Sequence, residues 1–209
     1  EPEIVVSNTG RQNVMSVSLL RLQSGKIALF YLVKHGFHDC RPYLQISEDE
    51  AQTWSEPRLT IAPPGYFVLN NDRVIQTSTG RLIMPLAFHR QKGASQTAHS
   101  AFDGRAIAMW FYSDDEGKTW VEADDWRALN AHTRTGLQEP GIVELSNGHL
   151  WSWARTDQKY QYACISTNMG KNWSAPEPTP LRSPASPATI ERIPGTSDLL
   201  AIYNDVSDV

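Results

Sequence analysis

SDDEGKTW, residues Ser113 to Trp120, sets three carboxylates in a row before a glycine. Such a run could be a cation site, a catalytic cluster or a turn. Two more copies settle the choice. SEDEAQTW spans Ser47 to Trp54, and STNMGKNW spans Ser166 to Trp173. All three keep serine at the first place and tryptophan at the eighth. Each follows a short apolar strand: RPYLQI, IAMWFY and YQYACI. A carboxylate or amide at the third place can accept N–H bonds across a tight turn. Glycine at the fifth supplies the unusual backbone angles, and the tryptophan packs its ring beneath the hairpin. A calcium loop needs alternating oxygen ligands and a distant closing glutamate, whereas adjacent acids on a hairpin point to opposite faces. No metal is therefore expected at Asp114, Asp115 or Glu116. The copies are imperfect: Ala51 stands at the glycine place, and Asn168 and Asn172 replace Asp and Thr. That tolerance suits architecture.

A second repeat alternates with the first. SVSLLRLQSGKIALFYLV, DRVIQTSTGRLIMPLAF, GIVELSNGHLWSWAR and ATIERIPGTSDLLAIYN each read as strand, glycine turn and strand. Their turns fall at Gly25, Gly80, Gly148 and Gly195. The interval, roughly fifty to seventy residues, is that of a four-stranded propeller blade. The expected fold is all-β, one propeller domain over residues 1–209, with about four blades and the last lacking its outer strands. The best helical candidate is a short piece from Glu122 to Asn130.

Composition excludes several classes. A formal net charge of −4 gives no basic footprint for nucleic acid. No apolar run reaches membrane-spanning length. The start, EPEIVVSNTG, lacks the basic and apolar regions of a signal peptide. Location stays open: secreted or periplasmic if a signal was removed, with cytoplasmic possible. Cys40 and Cys164 are far apart and outside any CxxC pair, so they read as buried free thiols and zinc is not expected.

A propeller gathers the inner strand ends around its axis, away from the Ser-to-Trp turns. In LQEPGIVELSNGHLWSWARTD, Glu139 precedes one strand and Arg155 ends the next. Each alone could be a solvated charge, but a hairpin can bring them together. In VKHGFHDCRPYLQIS, Asp39 is either a turn former or a site acid, with Arg41 two residues on. His35 and His38 beside it read as solvent-facing or as sugar-hydroxyl donors. In VLNNDRVIQ, Asn70, Asn71, Asp72 and Arg73 precede the second inner strand, and Arg73 could offer positive charge. SPASPAT places Ser186 before the fourth.

The eight-residue motif resembles the Asp-box (Ser-x-Asp-x-Gly-x-Thr-Trp) of sialidases and related propellers, and the stretch around Glu139 and Arg155 is similar to a sialidase segment. The resemblance implies six blades, so this chain would be the first half to two-thirds of a larger domain. It implies an exo-acting glycoside hydrolase that removes a terminal sialic acid or related acidic sugar from a glycan or sialoglycoconjugate, without a cofactor. In that family a glutamate activates a tyrosine nucleophile, because an anionic nucleophile would be repelled by the sugar carboxylate. Arginines bind that carboxylate through their planar fork. By resemblance Glu139 is the base, Arg155 a carboxylate binder and Asp39 the acid/base; Arg73, Arg41, Asn71, Asp72 and Ser186 would contact substrate. The pattern breaks at NVMSVSLL, where Met15 stands at the expected first arginine. The third arginine and the tyrosine would lie beyond Val209. Tyr160 and Tyr162 do not stand where the family has its nucleophile. The competing expectation is a non-catalytic carbohydrate-binding propeller.

Overall fold

The computed structural model describes residues 3–129 and 132–206. The strands form four-stranded antiparallel units, as the glycine turns require. The first unit is β1 (Asn13–Arg21), β2 (Ile27–Gly36), β3 (Asp39–Ser47) and β4 (Arg58–Leu59). A short strand, β5 (Tyr66–Val68), pairs parallel with β3 and antiparallel with β7, and so ties this unit to the next. The second unit is β6 (Ile75–Gln76), β7 (Leu82–Gln91), β8 (Phe102–Ser113) and β9 (Val121–Glu122). The third is β10 (Gln138–Glu144), β11 (Leu150–Arg155), β12 (Tyr160–Ser166) and β13 (Glu177–Arg182). A final hairpin, β14 (Thr189–Arg192) and β15 (Leu199–Ile202), begins a fourth. Three blades and the first hairpin of another match the order read from the repeats.

Residues alternate between the two faces of each strand, so one strand serves two cores. On β7, Leu82, Met84 and Leu86 enter a core shared with Phe30, Leu32 and Leu44 of the first blade. Ile83 between them joins Trp110, Ile142, Leu150 and Trp173 in a second core. A third core holds Val143, Trp153 and Ile190. Middle strands are covered on both faces, which is why IALFYLV and LIMPLAF read as unbroken apolar runs.

The three Ser-to-Trp stretches are turn locks in the β3–β4, β8–β9 and β12–β13 connections. In the second, Ser113 Oγ accepts from Gly117 N at 2.8 Å and donates to Asp115 Oδ1 at 2.8 Å. Asp115 then accepts from Thr119 N at 2.9 Å and from Thr119 Oγ1 at 2.7 Å. Trp120 Nε1 donates to Gly117 O at 3.2 Å. Two consecutive residues are left-handed, Glu116 at φ 57° and Gly117 at 79°. Ala51 accepts the same conformation at φ 66°.

The helix expected over Glu122–Asn130 is absent: the chain is strand at Val121–Glu122 and irregular through residue 129, with Asn130 outside the described residues. Edge pairing has won over helical periodicity. Arg127 bridges Ala108 of β8 in both directions, at 2.8 and 2.9 Å. Both cysteines are buried and free, and burial pushes each thiol up to about 12. Among the described residues, no helix is long and apolar enough to cross a membrane.

Candidate functional site

The strands β1, β6, β10 and β14 open their blades, and each leads away from the rim opposite the turn locks. β3 makes the polarity plain: it begins at Asp39 and runs into the lock at Ser47. Glu139 stands near the start of β10 at a register break between Gln138 and Gly141, with a left-handed φ of 49°. Such an angle is uncommon for a glutamate and turns its side chain out of the regular pleat. Gly141 completes the arrangement, because a Cβ there would overlap the Trp153 ring.

Gln138 pairs with Arg155 across the hairpin. Arg155 Nη2 and Nε donate to Gln138 Oε1 at 2.8 and 3.1 Å, which aims the guanidinium back at β10. Its Nη2 lies 3.4 Å from Glu139 Oε1. Glu139 Oε2 is buried and has no hydrogen-bond partner among the described residues. The pair expected from sequence is thus assembled, with one carboxylate oxygen committed and one open.

Arg73 behaves differently from a surface cation. It is 4% exposed, donates from Nη2 to Ala188 O at 2.9 Å and lies 5.9 Å over the Trp153 ring. Burial lowers its pKa, and the carboxylates of Glu139, Asp72 and Glu191 oppose that shift. One side chain from the second blade therefore joins the third to the fourth. Its backbone N donates to Ser18 Oγ at 3.0 Å, while Asp72 N donates to Val17 O at 3.1 Å, so the loop before β6 is stitched to the bulge of β1. Asp72, Arg73, Trp153 and Glu191 line one cavity of about 350 Å³.

Other candidates stand apart from this group. Asp39 is the first residue of β3 rather than a loop residue, and its carboxylate holds Arg41 at 2.6 and 3.1 Å. Arg41 also donates to Ala62 O at 2.8 Å. Among the described residues, no hydrogen bond or ion pair joins Asp39 or Arg41 to Glu139 or Arg155. Asn71 is exposed, its backbone N bonded to Asn70 Oδ1 at 2.8 Å. Ser186 Oγ accepts from Asn204 Nδ2 at 3.1 Å. His35 Nδ1 accepts from Arg11 N at 3.3 Å, and His38 Nδ1 is buried with no hydrogen-bond partner among the described residues. Met15 packs against the core between the first two blades.

Sequence reasoning missed Gln138, Glu191 and His89. His89 is 5% exposed, set against the rings of Phe102 and Tyr66, with Nδ1 2.9 Å from Asp103 O. Its pKa is lowered, first by burial and further by the charge of Arg155. Only its place in the apolar run LIMPLAFHR could have flagged it. Glu191 bonds to the Asp72 carboxyl, and that bond together with burial raises its pKa. A hydrogen bond available only to the protonated form and a neighbouring like charge both favour neutral Glu191.

The BNR repeat-like domain family matches residues 1–208. Among solved structures, a protein of unknown function from Dyadobacter fermentans superposes with a TM-score of 0.75 at 19% identity, over 97% of this chain and 60% of its own. A Hadza microbial sialidase gives 0.64 at 18% identity, over 87% of this chain and 37% of that one. Trypanosoma rangeli sialidase, solved with 2,3-difluorosialic acid as a covalent intermediate, gives 0.63 at 17% identity, over 95% and 35%. The chain thus spans a little over a third of these sialidases. No curated protein matches. The architecture is that of a partial sialidase-type propeller.

Proposed function

The chain belongs to the BNR repeat-like domain family, and from that premise we propose that it forms part of an exo-acting glycosidase of sialidase type, removing a terminal sialic acid or related acidic sugar. The observation that carries this reading is the Glu139–Arg155 pair, 3.4 Å apart on adjacent strand ends, with Glu139 Oε2 unpartnered. Glu139 would accept the proton of a tyrosine nucleophile supplied from outside this chain. Arg155, steadied by Gln138, would take the sugar carboxylate. Asp39, held by Arg41, would serve as acid/base. Removing a positioned base costs about 10²–10⁴-fold in rate. Glu139→Gln in the full-length protein should lose that much turnover of a fluorogenic sialoside while keeping its thermal midpoint. Unchanged turnover would remove Glu139 from the role.

A second reading, a carbohydrate-binding propeller without catalysis, draws on Met15, which packs half-buried against the core where the family resemblance expects an arginine. Binding of sialylated glycans with no sugar released by the wild type would favour it.

A further inference from the structure

The irregular segment after β9 leaves a tryptophan standing in water. Trp126 is 55% exposed, although the backbone beside it is held to β8. Its neighbour Arg127 bridges β8 through Ala108, donates from Nη1 to Trp126 O at 2.9 Å and from Nε to Ser174 O at 2.8 Å, and reaches Trp173 O. A rigid, exposed aromatic offers contact area at little ordering cost.

Beside it lies a cavity of about 390 Å³, within the range of small-molecule sites. Phe88, Ile107 and Leu129 supply an apolar wall, and Arg90 and Arg105 stand at its polar side. The local charge opposes that of the whole chain, which is −4. Arg90 and Lys92 both lean on Asp103, at 3.3 and 3.5 Å, so two cations share one carboxylate that is 7% exposed. The exposed Arg105 guanidinium makes no hydrogen bond or ion pair among the described residues; its backbone N alone binds Asp103. Asp125, next to Trp126, turns instead to the third blade, where it accepts from Trp173 N at 3.1 Å.

We propose that Trp126, Arg90 and Arg105 form an accessory binding site for an acidic oligosaccharide where the end of β7 and the start of β8 meet the segment after β9. A pyranose has one face of C–H bonds, which stacks on an indole, and a carboxylate or sulfate on its edge would meet the arginines. The choice of a saccharide rests on the glycan reading of the Glu139 site; the apolar wall and unspent positive charge do not.

The test uses the full-length protein carrying Glu139→Gln, so that bound sugar is not turned over. Calorimetry would compare oligogalacturonate, sulfated dextran oligomers, neutral dextran oligomers and polyglutamate. The carboxylated or sulfated saccharides should bind, more weakly as salt screens the arginines; which of the two binds tighter identifies the anionic group. Trp126→Ala should weaken binding about tenfold, equal to 1.4 kcal/mol, and Arg105→Gln should weaken it and flatten its salt dependence. Neither should alter turnover of a small sialoside when Glu139 is intact. Arg105→Gln and Trp126→Tyr keep the test open should Trp126→Ala fail to fold. Equal binding of neutral dextran, equal binding of polyglutamate, or full affinity in both variants would overturn the proposal. Loss of hydrolysis alone would bear on Glu139 and leave this site standing.

Discussion

Asp115 shows what a carboxylate does when it serves a turn rather than a substrate. Burial works against its charge, but donors from Thr119 N, Thr119 Oγ1 and Ser113 Oγ outweigh that and hold the carboxyl at about 2. Asp115→Ala removes the acceptor from several bonds at once, at about 1 kcal/mol each, and should cost about 2 kcal/mol in urea unfolding at pH 7. Asp115→Asn should cost much less. The third lock already works with an amide: Asn168 Oδ1 accepts from Asn172 N at 2.9 Å and from Ser166 Oγ at 3.0 Å. The sign of the pH effect follows from the depressed pKa. The carboxylate's contribution is complete above its ordinary 3.8 and is lost as pH falls towards about 2. The Asn variant should therefore lose less stability than wild type between pH 4 and pH 2. Equal losses across that window would refute the assignment.

At the scale of the strand, Gly141 links packing to the site. It sits on β10 two residues beyond Glu139, and the Trp153 ring fills the space a side chain would need. Trp153 is itself fixed by its Nε1 bond to Ala188 O at 3.0 Å. Gly141→Ala must displace that ring or the strand, and overpacking of this kind costs about 1–3 kcal/mol. We expect a lower thermal midpoint together with, on the proposed function, weaker sugar binding, since Glu139 is two residues away; a variant with wild-type melting would show that the strand yields freely. The hairpin carrying Glu139 and Arg155 was legible because both ends of one local turn appear in a single stretch of text. The blades were legible for the same reason: each lock and each glycine turn is closed within a few residues. Arg73 was not. Its acceptor on Ala188 and its ring partner Trp153 lie far along the chain, so a cation before a strand reads as exposed until neighbouring blades are in place. The helix expected over Glu122–Asn130 failed likewise in its described part, because the edge of β8 that captures it cannot be seen in its own periodicity.

Across the whole molecule, the axis-facing carboxyls set a limit at higher pH that the turn locks do not. Arg73 is the buried cation among Asp72, Glu139 and Glu191. Asp72 and Glu191 are themselves exposed and Glu139 keeps Arg155, so removing Arg73 forfeits chiefly its bond to Ala188 O, a charge-assisted bond worth about 1.5–3 kcal/mol. Arg73→Met should therefore lose about 2 kcal/mol at pH 7 and less near pH 4, where the nearby carboxyls begin to take up protons. Glu191 gives the opposite sign from Asp115. Its bond to the Asp72 carboxyl raises its pKa above the ordinary 4.5, so the folded state holds a proton that the unfolded state releases. The stability from that proton is complete below 4.5 and is lost as pH rises through the raised value. Glu191→Gln keeps a donor for Asp72 without the proton equilibrium. It should match wild type at pH 4 and become the more stable protein as pH rises to 7, measured by thermal unfolding at constant ionic strength. If wild type and Glu191→Gln diverge instead on the acid side, the Asp72 contact does not favour neutral Glu191, and the approach of the second and fourth blades at this point needs another explanation.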